Sequence, residues 1–191
     1  MKNYLPILIL SALFLACAKD EAITPTPASS DFKAYSSAFT NGGSFPVKYT
    51  CDGASTSPLI QWSGAPAGTV SYAITMHHFP SASAEKHVYM CVYNIASSAK
   101  EIGENVTNIG NWGINTVNGK NAYSPPCSQG PGAKAYIITV YALSSAPVIS
   151  TAPSATTMDV VVAAMSGKLL AKSEIETEKE IHKQKIRHDR H

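Results

Sequence analysis

From Phe45 to Leu143 the chain runs as short stretches rich in β-branched and aromatic residues, broken by clusters of Gly, Pro, Ser and Asn. That alternation is the signature of strands joined by turns, and it predicts strands over residues 45–50, 57–62, 72–76, 88–95 and 135–143. In the last of these both faces are apolar, with Tyr136, Ile138, Val140 and Ala142 on one side and Ile137, Thr139, Tyr141 and Leu143 on the other. A strand of that kind is covered on both sides and belongs in the middle of a sandwich. One segment changes period: Met158, Val161, Val162, Met165 and Leu169 share a helical face, and Thr156 followed by Asp159 predicts a cap for its first turn. The expected fold class is mainly β, an antiparallel β-sandwich with one or two peripheral helices.

The two ends follow other patterns. Lys2 precedes an apolar run over residues 5–16, and then comes Cys17. The run has the length of a signal-peptide core and is too short to span a bilayer of about 30 Å. Phe14, Leu15 and Ala16 before Cys17 resemble the lipobox of bacterial lipoprotein signals, in which the cysteine is lipidated and becomes the first mature residue. An ordinary secretory signal is the plainer alternative. Either reading exports the chain to an oxidising compartment, and the lipoprotein reading anchors it by lipid in the bacterial cell envelope, periplasmic or surface-exposed. Residues 18–31, with Thr24, Pro25, Thr26 and Pro27, read as a flexible tether. Residues 173–191 hold five acids, five bases and three histidines. Their isoleucines Ile175, Ile181 and Ile186 make no helical stripe wide enough to dock, so the segment reads as a charged tail. The domain is expected over residues 32–172.

Composition narrows the function. Lys and Arg number 15 against 13 for Asp and Glu, a net charge of +2, which gives no basic face for nucleic acid. Four cysteines carry no zinc-finger spacing. Residues 32–172 contain only Asp52, Glu85, Glu101, Glu104 and Asp159 as acids, a poor supply for a pair of catalytic carboxylates. The unusual polar groups are His77, His78 and His87, between two predicted strands. Alternation sends His78 to the face of Tyr72, Ile74 and Met76, and His77 to that of Ala73 and Thr75. Such histidines serve anion binding, proton transfer, metal ligation, or nothing beyond loop hydrogen bonds. Neither a G-x-S-x-G elbow nor a phosphate-binding G-x-x-x-x-G-K-[ST] loop is present.

Several ordered segments together resemble one family. Residues 48–62, KYTCDGASTSPLIQW, are similar to the opening of bacterial phosphatidylethanolamine-binding proteins, the Raf kinase inhibitor-like group. The likeness continues through residues 64–74, Tyr93-Asn94-Ile95, residues 110–115, Tyr123-Ser124-Pro125-Pro126-Cys127 and residues 136–143. It implies the sandwich of that family, a small pocket for anionic groups such as phosphate or a phospholipid head group, and no cofactor. The family builds this pocket from a D-P-D-A-P segment, an H-W strand, the tyrosine of Y-x-G-P-x-P-P and a G-x-H-R-Y loop. Here His78 stands at the first aspartate, Tyr89 at the strand histidine with His87 two residues before it, and Lys134 at the loop histidine. Tyr123 and Pro125 carry over. Cys51 and Cys127 lie in segments where exported relatives also carry cysteine, and the resemblance implies a disulfide between them. Cys91 reads as a small core residue.

The expectation is therefore a non-catalytic, membrane-tethered binding protein. Its ligand site is His78, His87, Tyr89, Tyr123, Pro125 and Lys134, and its anchor is Cys17. Two rivals are a metal-dependent or histidine-based hydrolase using His77, His78 and His87, and a protein-interaction or inhibitor module.

Overall fold

A computed structural model describes residues 31–81, 84–127 and 132–179. The predicted signal, its Cys17 and the tether up to residue 30 lie outside the described residues.

Two sheets form the sandwich. The smaller has three antiparallel strands, β1 (Lys33–Tyr35), β3 (Ile60–Ser63) and β6 (Glu101–Ile102), with β3 in the middle. The larger has six, in the order β2-β9-β8-β4-β5-β7: β2 (Gly43–Ser44), β9 (Leu169–Lys179), β8 (Lys134–Leu143), β4 (Ser71–His78), β5 (His87–Ala96) and β7 (Asn111–Trp112). Every pair is antiparallel except β2 with β9. As the two-faced apolar pattern predicts, β8 is interior, between β9 and β4. Ile60, Trp62 and Ile102 meet Tyr72, Ile74, Met76, Met90, Val92, Ile138, Val140 and Ile175 in the core between the sheets. A second cluster covers the other face of the large sheet, where Ala73, Val88, Cys91, Tyr93 and Leu143 pack on Met158, Val161 and Met165. Cys91 is fully buried, and desolvation pushes its thiol up to about 12, as befits a packed core residue.

Three expectations are corrected. The segment expected as a strand over residues 45–50 forms a turn of 3-10 helix at Val47–Tyr49, because Pro46 has no N–H to give a ladder and its carbonyl instead accepts from Tyr49. The helix is shorter than its spacing suggests: α1 spans Met158–Ala164, capped by the Thr157 side chain accepting from Val160 N–H rather than by Thr156. Gly167, at φ +71°, is in the left-handed conformation that ends helices, and Leu169 begins a strand. The charged tail does not start at residue 173. Ser173, Ile175, Thr177 and Lys179 alternate with Glu174, Glu176 and Glu178, the inward set at least half-buried and the glutamates exposed. The period is two, not that of a helix, and β9 pairs with β8 from Leu169 opposite Leu143 to Lys179 opposite Lys134. The domain thus runs through Lys179, and residues 180–191 lie outside the described residues.

Candidate functional site

Antiparallel pairing brings three distant segments to one end of the large sheet: the last residues of β4, the first of β5 and the first of β8. His78 is registered directly opposite His87, and their ring centroids are 6.3 Å apart. On the other side of β4, the His78 ring lies 5.7 Å from that of Tyr136, which lies 5.5 Å from Tyr89. An irregularity in the β4–β5 register between Met76 and His77 leaves Tyr89 outside the pairing, so Tyr89 and Met90 both turn toward the core between the sheets. That local bulge re-aims Tyr89 toward Tyr136.

His78 is 6% exposed, and its Nδ1–H donates to the Ala135 carbonyl at 2.8 Å. This bond selects the tautomer in which Nε2 carries the lone pair and is the atom that takes up a proton. Burial lowers the His78 pKa below the usual histidine value, with Lys134 and His87 lowering it further and the Ala135 carbonyl opposing them. The charged or chargeable neighbours acting on His78 are thus basic. Lys134 is absent from the four ion pairs among the described residues. Opposite it in the ladder, Lys179 is paired with Asp52 at 2.5 Å.

Tyr123 reaches the same aromatic cluster, since the phenols of Tyr136, Tyr89 and Tyr49 all act on it. Its hydroxyl donates to the Tyr49 carbonyl at 2.5 Å, so its single proton ties two loops together instead of pointing at a ligand. Burial raises its pKa far above the tyrosine range, which keeps it neutral. The next residue, Ser124, donates its N–H to the Tyr89 carbonyl at 2.9 Å, which lays the segment carrying half-buried Pro125 beside the start of β5. Cys51 and Cys127 are joined by a disulfide with Cα atoms 5.3 Å apart, and Cys51 N–H also donates to the Pro126 carbonyl. The bridge thus fastens the Tyr49–Asp52 turn to the Tyr123–Pro125 segment.

His78, His87, Tyr89 and Tyr123 therefore come together, with Lys134 beside His78. His77 does not join them. It faces the α1 side, where Lys86, Asp159 and Glu174 act on it, its Nδ1 has no hydrogen-bond partner among the described residues, and its ring meets Phe79 edge-on at 5.1 Å. The three histidines cannot converge on one ion, and among the described residues no group of three or more His, Cys, Asp or Glu side chains is placed to hold a metal. Tyr136 belongs to this cluster, which the pattern of strand β8 conceals, because a fully buried tyrosine alternating with Ile138 and Val140 reads as core.

The chain matches the phosphatidylethanolamine-binding protein family over residues 35–179. A UPF0098 protein of Aquifex aeolicus is 35% identical over 147 residues, covering 74% of this chain and 84% of that protein. The "Putative lipoprotein LppC" of Mycobacterium tuberculosis is 31% identical over 124 residues, 64% of this chain and 61% of that protein. Among solved structures, CT736 of Chlamydia trachomatis superposes with a TM-score of 0.72 at 25% identity, covering 81% of this chain and 100% of that chain. YbcL of Escherichia coli shares the fold at a TM-score of 0.70 and 21% identity, covering 79% and 99%.

Proposed function

Because this chain belongs to the phosphatidylethanolamine-binding protein family, we propose that it is an exported, membrane-tethered binding protein that captures a small anionic group without catalysing a reaction. The anion is of the phosphate or phospholipid head-group type. One observation carries the reading: the buried His78, with Nδ1–H committed to the Ala135 carbonyl, has the basic Lys134 and His87 acting on it. An oxyanion entering this end of the sheet meets Lys134 as a fixed cation and His78 as a group that gains a proton at Nε2 when the anion arrives. The Tyr136 ring packs against His78 and the Tyr89 ring against Tyr136, and the low dielectric of these buried rings strengthens both interactions.

Proton uptake is the consequence that can be measured. The His78 pKa is lowered in the free protein and rises toward or above its ordinary value beside a bound anion, so binding is strongest below about pH 6.5 and weakens as pH rises. Calorimetric titration of inorganic phosphate and of phosphoethanolamine at pH 7, in buffers of different ionisation enthalpy, is expected to show uptake of part of a proton. Binding with no linked proton contradicts the reading. Equal affinity for the two probes assigns recognition to the phosphate alone, and a preference for phosphoethanolamine assigns the head group.

The tether rests on the apolar run before Cys17 and on the likeness to a protein named as a lipoprotein. Among the described residues no helix is long and apolar enough to cross a membrane. A Cys17→Ala variant is expected to leave the membrane fraction, and its retention there contradicts a lipid anchor at that residue.

A further inference from the structure

A cleft of about 250 Å³ opens beside the Tyr123 segment, and among the described residues no charged side chain lines it. Trp112 and Tyr123 line it together with Ser55, Asn105, Thr107 and Asn121, whose side chains are polar and neutral. The polar groups are held in place by the fold. Asn121 donates from Nδ2 to the carbonyls of Trp112 and Pro153 at 2.8 and 3.0 Å, which occupies both amide hydrogens and leaves Oδ1 as an acceptor. Trp112 Nε1–H donates to the Thr107 carbonyl at 3.1 Å, which fixes the indole plane and leaves no donor on that ring for a ligand. Asn105 sits at φ +55°, its N–H bonded to the Ser57 carbonyl, while its side chain makes no hydrogen bond among the described residues. Ser55 Oγ donates back to the Thr50 carbonyl and so presents its lone pairs.

We propose that this cleft binds one neutral sugar ring. A site without charge cannot hold an ion by Coulomb attraction, and one lined by an oriented aromatic ring and neutral donors and acceptors selects a molecule with an apolar face and a hydroxyl rim. A pyranose has both: its axial C–H face lies on the indole, and its hydroxyls donate to Asn121 Oδ1 and exchange hydrogen bonds with Asn105 and Thr107. The volume is below the roughly 300–1,000 Å³ of sites for drug-sized ligands, which limits the occupant to a single ring or the end of a chain. The cleft is separate from the basic end of the large sheet, with Tyr123 between them: it lines the cleft, while the phenols of Tyr136 and Tyr89 act on it from the other site.

Intrinsic fluorescence reads this cleft selectively, because the chain has two tryptophans and Trp62 is 1% exposed in the core. Methyl α-glucoside, methyl α-galactoside, methyl α-mannoside and N-acetylglucosamine serve as probes. At least one is expected to give a saturable blue shift that a severalfold rise in salt and added phosphate both leave unchanged. Asn105→Gly, which accepts the left-handed backbone of that exposed position at φ +55°, is expected to weaken the fitted affinity about tenfold. No saturable change with any of the four sugars overturns the proposal. So does a response that phosphate displaces or that Asn105→Gly leaves untouched, since either assigns the sugar elsewhere.

Discussion

His77 and His78 end the same strand and are neighbours in the chain, yet they sit in unlike surroundings. His78 faces the core between the sheets, gives its Nδ1–H to a backbone carbonyl and has Lys134 and His87 acting on it. His77 faces the helix side, where the Lys86–Asp159 ion pair and Glu174 supply both signs of charge, and its Nδ1 has no partner among the described residues. Burial lowers both pKa values, so titration alone does not distinguish them. What differs is the company each imidazole keeps: one lies among basic and aromatic groups, the other beside one lysine and two acids on the helix side. Two histidines in sequence are thus one candidate ligand residue and one residue of a structural face.

The comparison can be broken at several points. The largest effect is expected at the Cys51–Cys127 bridge, which fastens loops on the His78 side only. Replacing both cysteines by serine frees a loop with a sequence separation of 76, worth about 4 kcal/mol on the chain-entropy account. Chemical denaturation should register that loss, and phosphate affinity should fall with it. An unchanged affinity would detach the bridge from the site.

Next in size is the pair of single substitutions. His78→Ala removes a charge-assisted hydrogen bond of about 1.5–3 kcal/mol and should weaken phosphate binding by roughly 10–100-fold. His77→Ala, acting on the other face, should change it by less than about twofold. Calorimetry on both variants checks this, and equal losses would dissolve the distinction between the two faces.

The smallest effect is the dependence of stability on pH. Each histidine has a folded pKa below its unfolded value, so the unfolded state binds more protons and stability rises with pH. Melting temperature should hold above about pH 6.5 and fall as pH drops below it through the folded values. Saturating phosphate should restore the part that belongs to His78 and leave the part that belongs to His77. A His78→Gln variant that melts with the same pH profile and the same response to phosphate would contradict this.

Much of the frame was legible in the sequence, for physical reasons. Strands β4, β5 and β8 are long β-branched and aromatic runs, and the two-faced apolar pattern of β8 announces an interior strand. Strand β9 was hidden by its glutamates: a half-buried strand at period two shows few apolar residues, and Ile175 with inward Thr177 and Lys179 carries too little hydrophobic signal to be noticed. The helix was overextended because Leu169 falls at helical spacing, whereas the backbone at Gly167 decides where the helix stops. At the site, His78, His87, Tyr89 and Lys134 could be found through their family positions. The role of Tyr123 could not, because its bond to the Tyr49 carbonyl depends on where a distant backbone oxygen comes to rest.

The most direct test of the central claim is a long-range proton–nitrogen NMR spectrum of the histidine rings, recorded with and without inorganic phosphate near pH 6.5. The account predicts that free His78 is the Nδ1–H tautomer, that phosphate moves its Nε2 resonance toward the protonated value, and that His77 stays in place. A response at His77, or none at either ring, contradicts it.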